Sequence, residues 1–311
     1  MINTSTVYPG LTKVLTAPFK GILLDAYGVF WGGNACGLFP GSQALMEQLV
    51  LATKFVGILS NSTQMAASEG DKLCKHGLVK GRHFHFLITS GELARTLFLS
   101  KQLPFPTPSC KFWVLGGIHP KYSAHTAIFK DTSYNETPHL AEADFIYIAI
   151  PHINGEDQTD PEHFRKELQQ IISYNKPMVC ANPDLFAHEG QPVRAVVRQG
   201  SIAKLYEELG GKVFYIGKPY QKAYEMALEQ FRSAGIQNPH EILMVGDTPE
   251  TDIRGARRLG IPSALILETG MMKQRILKTD LESSLKALPT EDTPDYFIER
   301  FADGIYSTSQ S

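Results

Sequence analysis

Short apolar runs alternate with amphipathic helical patterns along most of this chain. Strand-like runs at 21–24 and 55–59 are each followed by a segment with helical spacing, at 41–51 and 66–76. This β-α-β-α order favours a parallel sheet with helices on its faces. The last third of the chain repeats the pattern, with strand-like runs at 213–216, 242–245 and 263–267. We therefore predict an α/β fold with a Rossmann-like, doubly wound parallel-sheet core.

The length of the chain indicates more than one domain. At 311 residues it is longer than most single domains. Additional strand-like runs lie in the middle of the chain, at 86–88, 112–115, 145–150 and 178–180. We predict that residues 1–85 and 191–311 form the Rossmann-like core. Residues 86–190 are predicted to form an inserted α/β cap domain.

Composition and charge argue against several classes of function. The formal net charge is −2 and the Lys and Arg residues are scattered, so we expect no surface that binds nucleic acid. No apolar run approaches the roughly 20 residues that span a bilayer, and residues 1–18 lack the pattern of a signal peptide. The four cysteines form no C-x-x-C pair, which predicts no zinc site. We expect a cytoplasmic protein that binds neither nucleic acid nor membranes.

Four polar clusters directly follow predicted strands. Open parallel sheets bind ligands at the carboxyl ends of their strands, so these clusters are candidates for a common site. They are Asp-Ala-Tyr-Gly-Val at 25–29, Ser-Asn-Ser at 60–62, Gly-Lys-Pro at 217–219 and Gly-Asp-Thr-Pro-Glu-Thr-Asp at 246–252. Any one of these clusters alone is a weak signal, but all four together in this order are a strong one.

In this order the clusters resemble the motifs of the haloacid dehalogenase (HAD) superfamily of hydrolases. The chain is most similar to subfamily IIA, which includes nitrophenyl-phosphatase, pyridoxal-phosphatase and nucleotide-phosphatase relatives. The resemblance extends over about residues 19–275. It includes further matches at Phe39-Pro40-Gly41-Ser42, Ile88-Thr89-Ser90, Asn182-Pro183-Asp184, Gly200-Ser201-Ile202 and Leu267-Glu268-Thr269-Gly270.

The resemblance implies a magnesium-dependent hydrolase in which Asp25 is the nucleophile. A carboxylate that attacks a phosphate is repelled by it, and Mg²⁺ between the two removes this repulsion. The implied metal ligands are Asp25, the backbone carbonyl of Tyr27 and Asp247, with Asp252 behind them. The implied phosphate-binding and substrate-binding residues are Ser60, Asn61, Ser62, Asp184 and Lys218, and Lys218 is also a catalytic residue because its charge faces the transferred group.

Tyr27 departs from the phosphatase pattern. The phosphatases of the family have a second Asp two residues after the nucleophile, and it protonates the leaving group. General acid catalysis is typically worth roughly 10²- to 10⁴-fold in rate. Tyr, with an unperturbed pKa of about 10, is a poorer acid than a tuned carboxyl group. The sequence therefore predicts a phosphatase of small phosphorylated metabolites, acting through an aspartyl-phosphate, whose leaving-group protonation is impaired.

Two alternatives remain open from the sequence. True 2-haloacid dehalogenases have Tyr at the position of Tyr27, where the loss of the acid is harmless because a departing halide needs no proton. Those dehalogenases also need no magnesium. Their cap, however, enters between the first and second motifs, whereas here only 35 residues separate Asp25 from Ser60. The second alternative is a non-catalytic ligand-binding protein that has kept the fold. Relatives with such caps often form homodimers, so a homodimer is a further expectation from the resemblance.

Overall fold

The computed structural model describes residues 6–34, 36–120, 122, 125–189 and 194–303. Two compact units divide the chain. The first unit comprises Met1–Ser60, Glu69–Ile88 and Gln221–Ser311, and the second comprises Asn61–Ser68 and Thr89–Tyr220.

The first unit contains a seven-stranded sheet. From one edge to the other, its strands are β1 (Val7–Tyr8), β14 (Tyr296–Ile298), β13 (Ser263–Ile266), β12 (Ile242–Gly246), β2 (Gly21–Leu24), β3 (Phe55–Ser60) and β4 (Phe86–Thr89). The pairings from β1 through to β3 are all parallel. The two central strands β2 and β12 are buried along their whole length, as expected for parallel strands that are covered on both faces.

Helices connect the strands of this sheet. They are α1 (Leu11–Val14), α2 (Ser42–Leu51), α3 (Ala66–Lys75), α8 (Gln221–Ser233), α9 (Arg254–Arg258), α10 (Gly270–Lys278) and α11 (Leu281–Lys286). The core beneath them includes the fully buried side chains of Phe30 and Trp31, which follow the first polar cluster. The parallel sheet with its connecting helices confirms the predicted α/β, Rossmann-like fold class.

The second unit has a parallel sheet of its own with five strands. In spatial order these are β11 (Val213–Tyr215), β8 (Met178–Cys180), β7 (Phe145–Ile148), β5 (Lys111–Leu115) and β6 (Asn135–Glu136). A separate antiparallel pair consists of β9 (Phe186–Glu189) and β10 (Arg194–Val197). The helices of this unit are α4 (Ser90–Leu99), α5 (Thr126–Phe129), α6 (Arg165–Ile171) and α7 (Gln199–Glu208).

The second unit extends further along the chain than the cap predicted from the sequence. The sequence placed the end of the cap at residue 190, but β11 pairs in parallel with β8, with Val213 opposite Met178. The unit therefore continues to Tyr220, and it also includes the short segment Asn61–Ser68. Among the described residues, no helix is long and apolar enough to cross a membrane.

Candidate active site

Three buried carboxylates lie together at the carboxyl ends of the two central strands of the first unit. Asp25 follows β2 and Asp247 follows β12, and these strands pair in register, with Leu24 opposite Val245. Asp252 lies five residues beyond Asp247 and is fully buried. One carboxylate oxygen from each of the three residues lies within 4.8 Å of the others. The structure therefore brings together the three acidic residues that the sequence singled out.

The carboxylate of Asp252 organises the turn that follows β12. Its Oδ2 accepts hydrogen bonds from the backbone amides of Asp247, at 3.2 Å, and Thr248, at 3.1 Å. The chain then makes a π-helical turn, Pro249–Ile253, before α9 begins. Such wide turns are frequent at functional sites.

The hydroxyl of Thr248 has an unexpected role in this turn. A Thr before a Pro is typical of a capped helix start, but the Thr248 side chain makes no capping hydrogen bond. Its hydroxyl instead donates to Oδ1 of Asp247 at 3.1 Å. Asp252 binds the amides at the start of the turn, which leaves Thr248 to position the carboxylate of Asp247.

Two glycines make room for the other oxygen of Asp247. Gly28 and Gly270 have φ values of +82° and +59°, and a Cβ atom at either position would lie 2.3 Å or 1.7 Å from Asp247 Oδ2. The same oxygen accepts a hydrogen bond from the backbone amide of Met271 at 2.6 Å. Thr269 donates its hydroxyl hydrogen to the carbonyl of Gly28, which joins the loops after β2 and β13. The chain is thus built closely around the Asp247 carboxylate.

The acidic cluster has the composition of a divalent-cation site. At an effective dielectric constant of about 20, two unit charges 4.8 Å apart repel each other by about 3.5 kcal/mol. A hard cation bound by oxygen ligands would remove this repulsion. The donors are all carboxylate oxygens, which suit Mg²⁺, Ca²⁺ or Mn²⁺ better than zinc. Asp25, Asp247 and Asp252 can therefore hold a metal ion.

Tyr27 makes a contact that the sequence did not reveal. Lys72, on α3, donates a hydrogen bond from its ammonium group to Tyr27 Oη at 3.0 Å. Lys72 also forms an ion pair with Glu69 and lies over the rings of Tyr27 and Trp31, 5.3 Å and 5.7 Å from their centroids. An ammonium group can only donate, so Tyr27 Oη accepts here and its own hydrogen remains available to a further acceptor.

The surroundings of Tyr27 keep its hydroxyl protonated. Withdrawal of the hydroxyl from water raises the pKa of Tyr27, and the carboxylate of Glu69 raises it further, while Lys72 opposes both. Partial burial of the Lys72 ammonium group lowers its pKa, but the interactions with Tyr27 and Glu69 raise it by more. The pKa of Lys72 is therefore raised above its usual value. Tyr27 is therefore a neutral phenol beside a charged lysine.

The second unit holds four of the predicted site residues, Asn61, Ser62, Asp184 and Lys218, and Asn61 is at the centre of a hydrogen-bonded cluster there. The Asn61 side-chain amide donates to Asp184 Oδ1 at 2.8 Å and to the carbonyl of Lys218 at 3.1 Å. Asn61 Oδ1 accepts from the amide of Lys218 at 2.7 Å. Ser90 donates its hydroxyl hydrogen to the carbonyls of Asn61 and Ser62. Four sequence motifs from distant parts of the chain thus meet at Asn61.

The predicted site residues divide between the two units. Those in the first unit are Asp25, Tyr27, Ser60, Asp247 and Asp252, and those in the second are Asn61, Ser62, Asp184 and Lys218. Ser60 is the last residue of β3 and is buried, as is Lys218. The sequence reasoning gave no role to Lys72, Thr269 or Ser90. Only the matches to the family pattern at 88–90 and 267–270 pointed to the last two.

Comparisons with known proteins found a family model that matches the last third of the chain and relatives that are similar along most of it. The family model described as HAD-hydrolase-like matches residues 215–304. Human chronophin is 27% identical over 292 residues, which cover 91% of this chain and 91% of chronophin. Human glycerol-3-phosphate phosphatase is 23% identical over 304 residues, which cover 94% of this chain and 91% of that protein.

Solved structures share the fold. A haloacid dehalogenase-like hydrolase from Brucella suis has a TM-score of 0.76 at 22% identity, and the match covers 94% of this chain and 100% of that one. The 4-nitrophenylphosphatase from Thermotoga maritima has a TM-score of 0.63 at 22% identity, covering 92% and 96% of the two chains. The family-model match and the similarity to chronophin along 91% of the chain therefore support a HAD-like hydrolase of subfamily IIA, and the solved structures share its fold.

Proposed function

We propose that this protein is a magnesium-dependent phosphatase that hydrolyses small phosphorylated metabolites through a phosphorylated Asp25. The observation that carries the proposal is the cluster of Asp25, Asp247 and Asp252, buried and within 4.8 Å of one another. The relatives named chronophin, glycerol-3-phosphate phosphatase and 4-nitrophenylphosphatase support this reaction class.

Asp25, Asp247 and the backbone carbonyl of Tyr27 would hold the Mg²⁺ ion, with Asp252 behind them. When bound, the ion would supply positive charge that offsets the repulsion of the phosphate by the attacking carboxylate. Met271, Thr248 and the two flanking glycines hold the Asp247 carboxylate in place. Ligands held in this way need little rearrangement on binding, which favours affinity.

The residues of the chain then carry out two displacements at phosphorus. A carboxylate oxygen of Asp25 forms a bond to phosphorus while the ester P–O bond breaks, and the leaving alkoxide takes a proton from solvent water. A water molecule next attacks phosphorus and breaks the bond to the Asp25 oxygen, which releases inorganic phosphate, returns a proton to solvent and restores the carboxylate. Ser60, Ser62 and the amide of Asn61 are proposed to bind the phosphate oxygens, and Lys218 to stabilise their charge.

Ser90 and Asp184 are positioned to fix the phosphate-binding loop. Ser90 holds the carbonyls of Asn61 and Ser62, so the amides of this loop keep one orientation. Asp184 and Lys218 hold the Asn61 side chain from two sides. Donors that are fixed before the reaction stabilise developing charge without further reorganisation.

Tyr27 favours a second candidate function, the metal-independent 2-haloacid dehalogenase. There Asp25 would displace halide from carbon, and no leaving-group proton would be needed. The buried acidic cluster argues against this reaction, because it has no role when no metal is bound. Halide release from a 2-haloacid without metal, and no phosphate release, would establish the dehalogenase instead.

The proposed function is tested by phosphate release from 4-nitrophenyl phosphate with and without Mg²⁺. We expect activity that requires Mg²⁺ and that disappears in Asp25→Asn, which keeps the shape of the side chain but removes the nucleophile. Activity of Asp25→Asn within about tenfold of wild type would show that the reaction takes place elsewhere, since loss of a covalent nucleophile costs more than loss of a general acid. Ligand-dependent melting without turnover would instead indicate a binding protein.

A further inference from the structure

The π-helical turn after β12 contains the residue that organises the acidic cluster. The turn spans Pro249–Ile253, and the backbone amide of Arg254 donates to the carbonyl of Pro249, five residues earlier. Asp252 lies within this turn, so the path of the backbone here sets the position of its carboxylate. An ordinary α-helical turn, with hydrogen bonds to the fourth residue, is the common alternative for such a segment. A contact that favours the wider form therefore also fixes Asp252.

Tyr224, on α8, makes such a contact. Its hydroxyl oxygen lies 2.9 Å from the carbonyl oxygen of Thr251 and 2.9 Å from that of Asp252. A phenol has one hydrogen, so the two carbonyls share it in a three-centre hydrogen bond. Both carbonyls belong to the π-helical turn, and the hydroxyl therefore binds the turn at two successive residues.

Packing holds the phenol of Tyr224 against the turn. The side chain is fully buried. Gly255, the second residue of α9, leaves room for it, because a Cβ atom there would lie 2.1 Å from Tyr224 Cε2 and 2.6 Å from Tyr224 Oη. A glycine inside a helix lowers stability relative to alanine. Here the close approach of the phenol to the backbone of α9 requires it.

Asp252 connects the turn to the proposed metal site. Its Oδ2 accepts hydrogen bonds from the backbone amides of Asp247 and Thr248. A Cβ atom at Gly246 would lie 2.3 Å from the same Oδ2, so the carboxylate lies directly against the end of β12. A shift of the backbone at Asp252 would therefore break these hydrogen bonds or move Asp247 with them.

We propose that Tyr224 is a positioning residue for the metal site, because its hydroxyl keeps the turn in the form that aligns Asp252 with Asp247. This inference rests on the proposed function, which assigns Mg²⁺ to these carboxylates. The hydroxyl contacts the backbone of the turn, so it acts through Asp252 and not as a metal ligand. Removing a group that orients metal ligands typically lowers metal affinity by about 10- to 100-fold. Tyr224 acts one residue further from the ligands, so we expect the lower end of this range.

The test is Tyr224→Phe, which removes one oxygen atom and keeps the ring beside Gly255. Calorimetric titration of the folded protein with Mg²⁺ should give a Kd that is about tenfold higher than that of wild type. The control is Tyr206→Phe, on α7 of the second unit. Tyr206 is also fully buried, and its hydroxyl donates to the carbonyl of Lys176 at 2.9 Å. The control loses an equivalent hydrogen bond and should keep the Mg²⁺ affinity of wild type, which separates positioning from a general loss of stability.

Hydrogen–deuterium exchange of the metal-free protein tests the route through Asp252. The backbone amides of Asp247 and Thr248 donate to the Asp252 carboxylate, so their exchange reports whether it is held in place. In Tyr224→Phe they should exchange about fivefold faster than in wild type, as the loss of one hydrogen bond predicts. In Tyr206→Phe their exchange should be unchanged.

A Kd for Mg²⁺ in Tyr224→Phe within about twofold of wild type, or an equal loss of affinity in Tyr206→Phe, would overturn the inference. Unchanged exchange of the Asp247 and Thr248 amides in Tyr224→Phe would overturn it as well. Failure of the proposed function gives a different result, because wild type itself would then bind no Mg²⁺ and release no phosphate from 4-nitrophenyl phosphate. The inference would fall with it in that case, whereas failure of the inference alone leaves both properties of wild type intact.

Discussion

Replacing Asp247 with Asn should stabilise the metal-free protein and abolish its stabilisation by Mg²⁺. The side chain of Asp247 lies within 4.8 Å of two other buried carboxylates, and each pair repels by about 3.5 kcal/mol at an effective dielectric constant of about 20. The substitution removes both repulsions. It also weakens the hydrogen bonds that the carboxylate accepts from Met271 and Thr248, each worth about 1.5 kcal/mol.

The difference gives a net stabilisation of about 1–4 kcal/mol in the absence of metal, once nearby charges and solvent have reduced the repulsion. For wild type, Mg²⁺ at 100 times its Kd should add about 2.7 kcal/mol, and for Asp247→Asn almost nothing. The substitution therefore has opposite effects on the stability of the metal-free protein and on metal affinity.

Urea unfolding followed by the fluorescence of Trp31 reports on the first unit. A Trp113→Phe background removes the other tryptophan, which lies on β5 of the second unit. The control is Asp71→Asn, an exposed substitution on α3 that changes the net charge by the same amount as Asp247→Asn. It should alter neither the stability of the metal-free protein nor the stabilisation by Mg²⁺. A metal-free Asp247→Asn protein that is less stable than wild type, yet gains as much stability from Mg²⁺, would refute the reasoning.

Two further predictions concern residues around the cluster. Tyr27→Asp should raise the rate on alkyl phosphates by up to about 10²- to 10⁴-fold and change that on activated aryl phosphates little, which a series of leaving groups measures. If wild type and Tyr27→Asp showed the same shallow dependence of rate on leaving-group pKa, another residue would supply the proton. Gly270→Ala should lower Mg²⁺ affinity in calorimetry by about tenfold or more, because its Cβ would lie 1.7 Å from Asp247 Oδ2. Gly81→Ala has similar backbone strain, at φ +87° with no neighbouring atom, and should not lower it.

The central strands and the acidic cluster were predictable from the sequence because both follow from local patterns. Fully buried parallel strands are continuous apolar runs, and Asp25 and Asp247 directly follow two of them. The edge strand β1 has only two residues, too few for a periodic pattern, and was not predicted.

The boundary of the second unit could not be read from the sequence. The run at 213–216 has the same appearance whichever sheet it joins, and only its pairing with β8 assigns it to the second unit. The π-helical turn after Asp247 was missed for a similar reason. A Thr-Pro pair is typical of an ordinary helix start, and the capping role of Asp252 depends on the three-dimensional path of the chain.

The contact between Lys72 and Tyr27 also has no sequence signal. The two residues are 45 positions apart, and a lysine on an amphipathic helix usually faces solvent. Only the packing of α3 beside the first polar cluster brings its ammonium group to the phenol. The sequence therefore indicated that the usual acid was absent, but not which residue lies beside its replacement.

The most direct test of the account is chemical trapping of the phosphorylated nucleophile. Wild type is mixed with 4-nitrophenyl phosphate and Mg²⁺, quenched in acid and treated with borohydride, which reduces the acyl phosphate of an aspartate to homoserine. Peptide mass spectrometry then locates the modified residue. The account predicts homoserine at position 25, in a yield that follows the initial burst of 4-nitrophenol and is absent without Mg²⁺. A burst without homoserine at position 25, or homoserine at another aspartate, would contradict the assignment of Asp25 as the nucleophile.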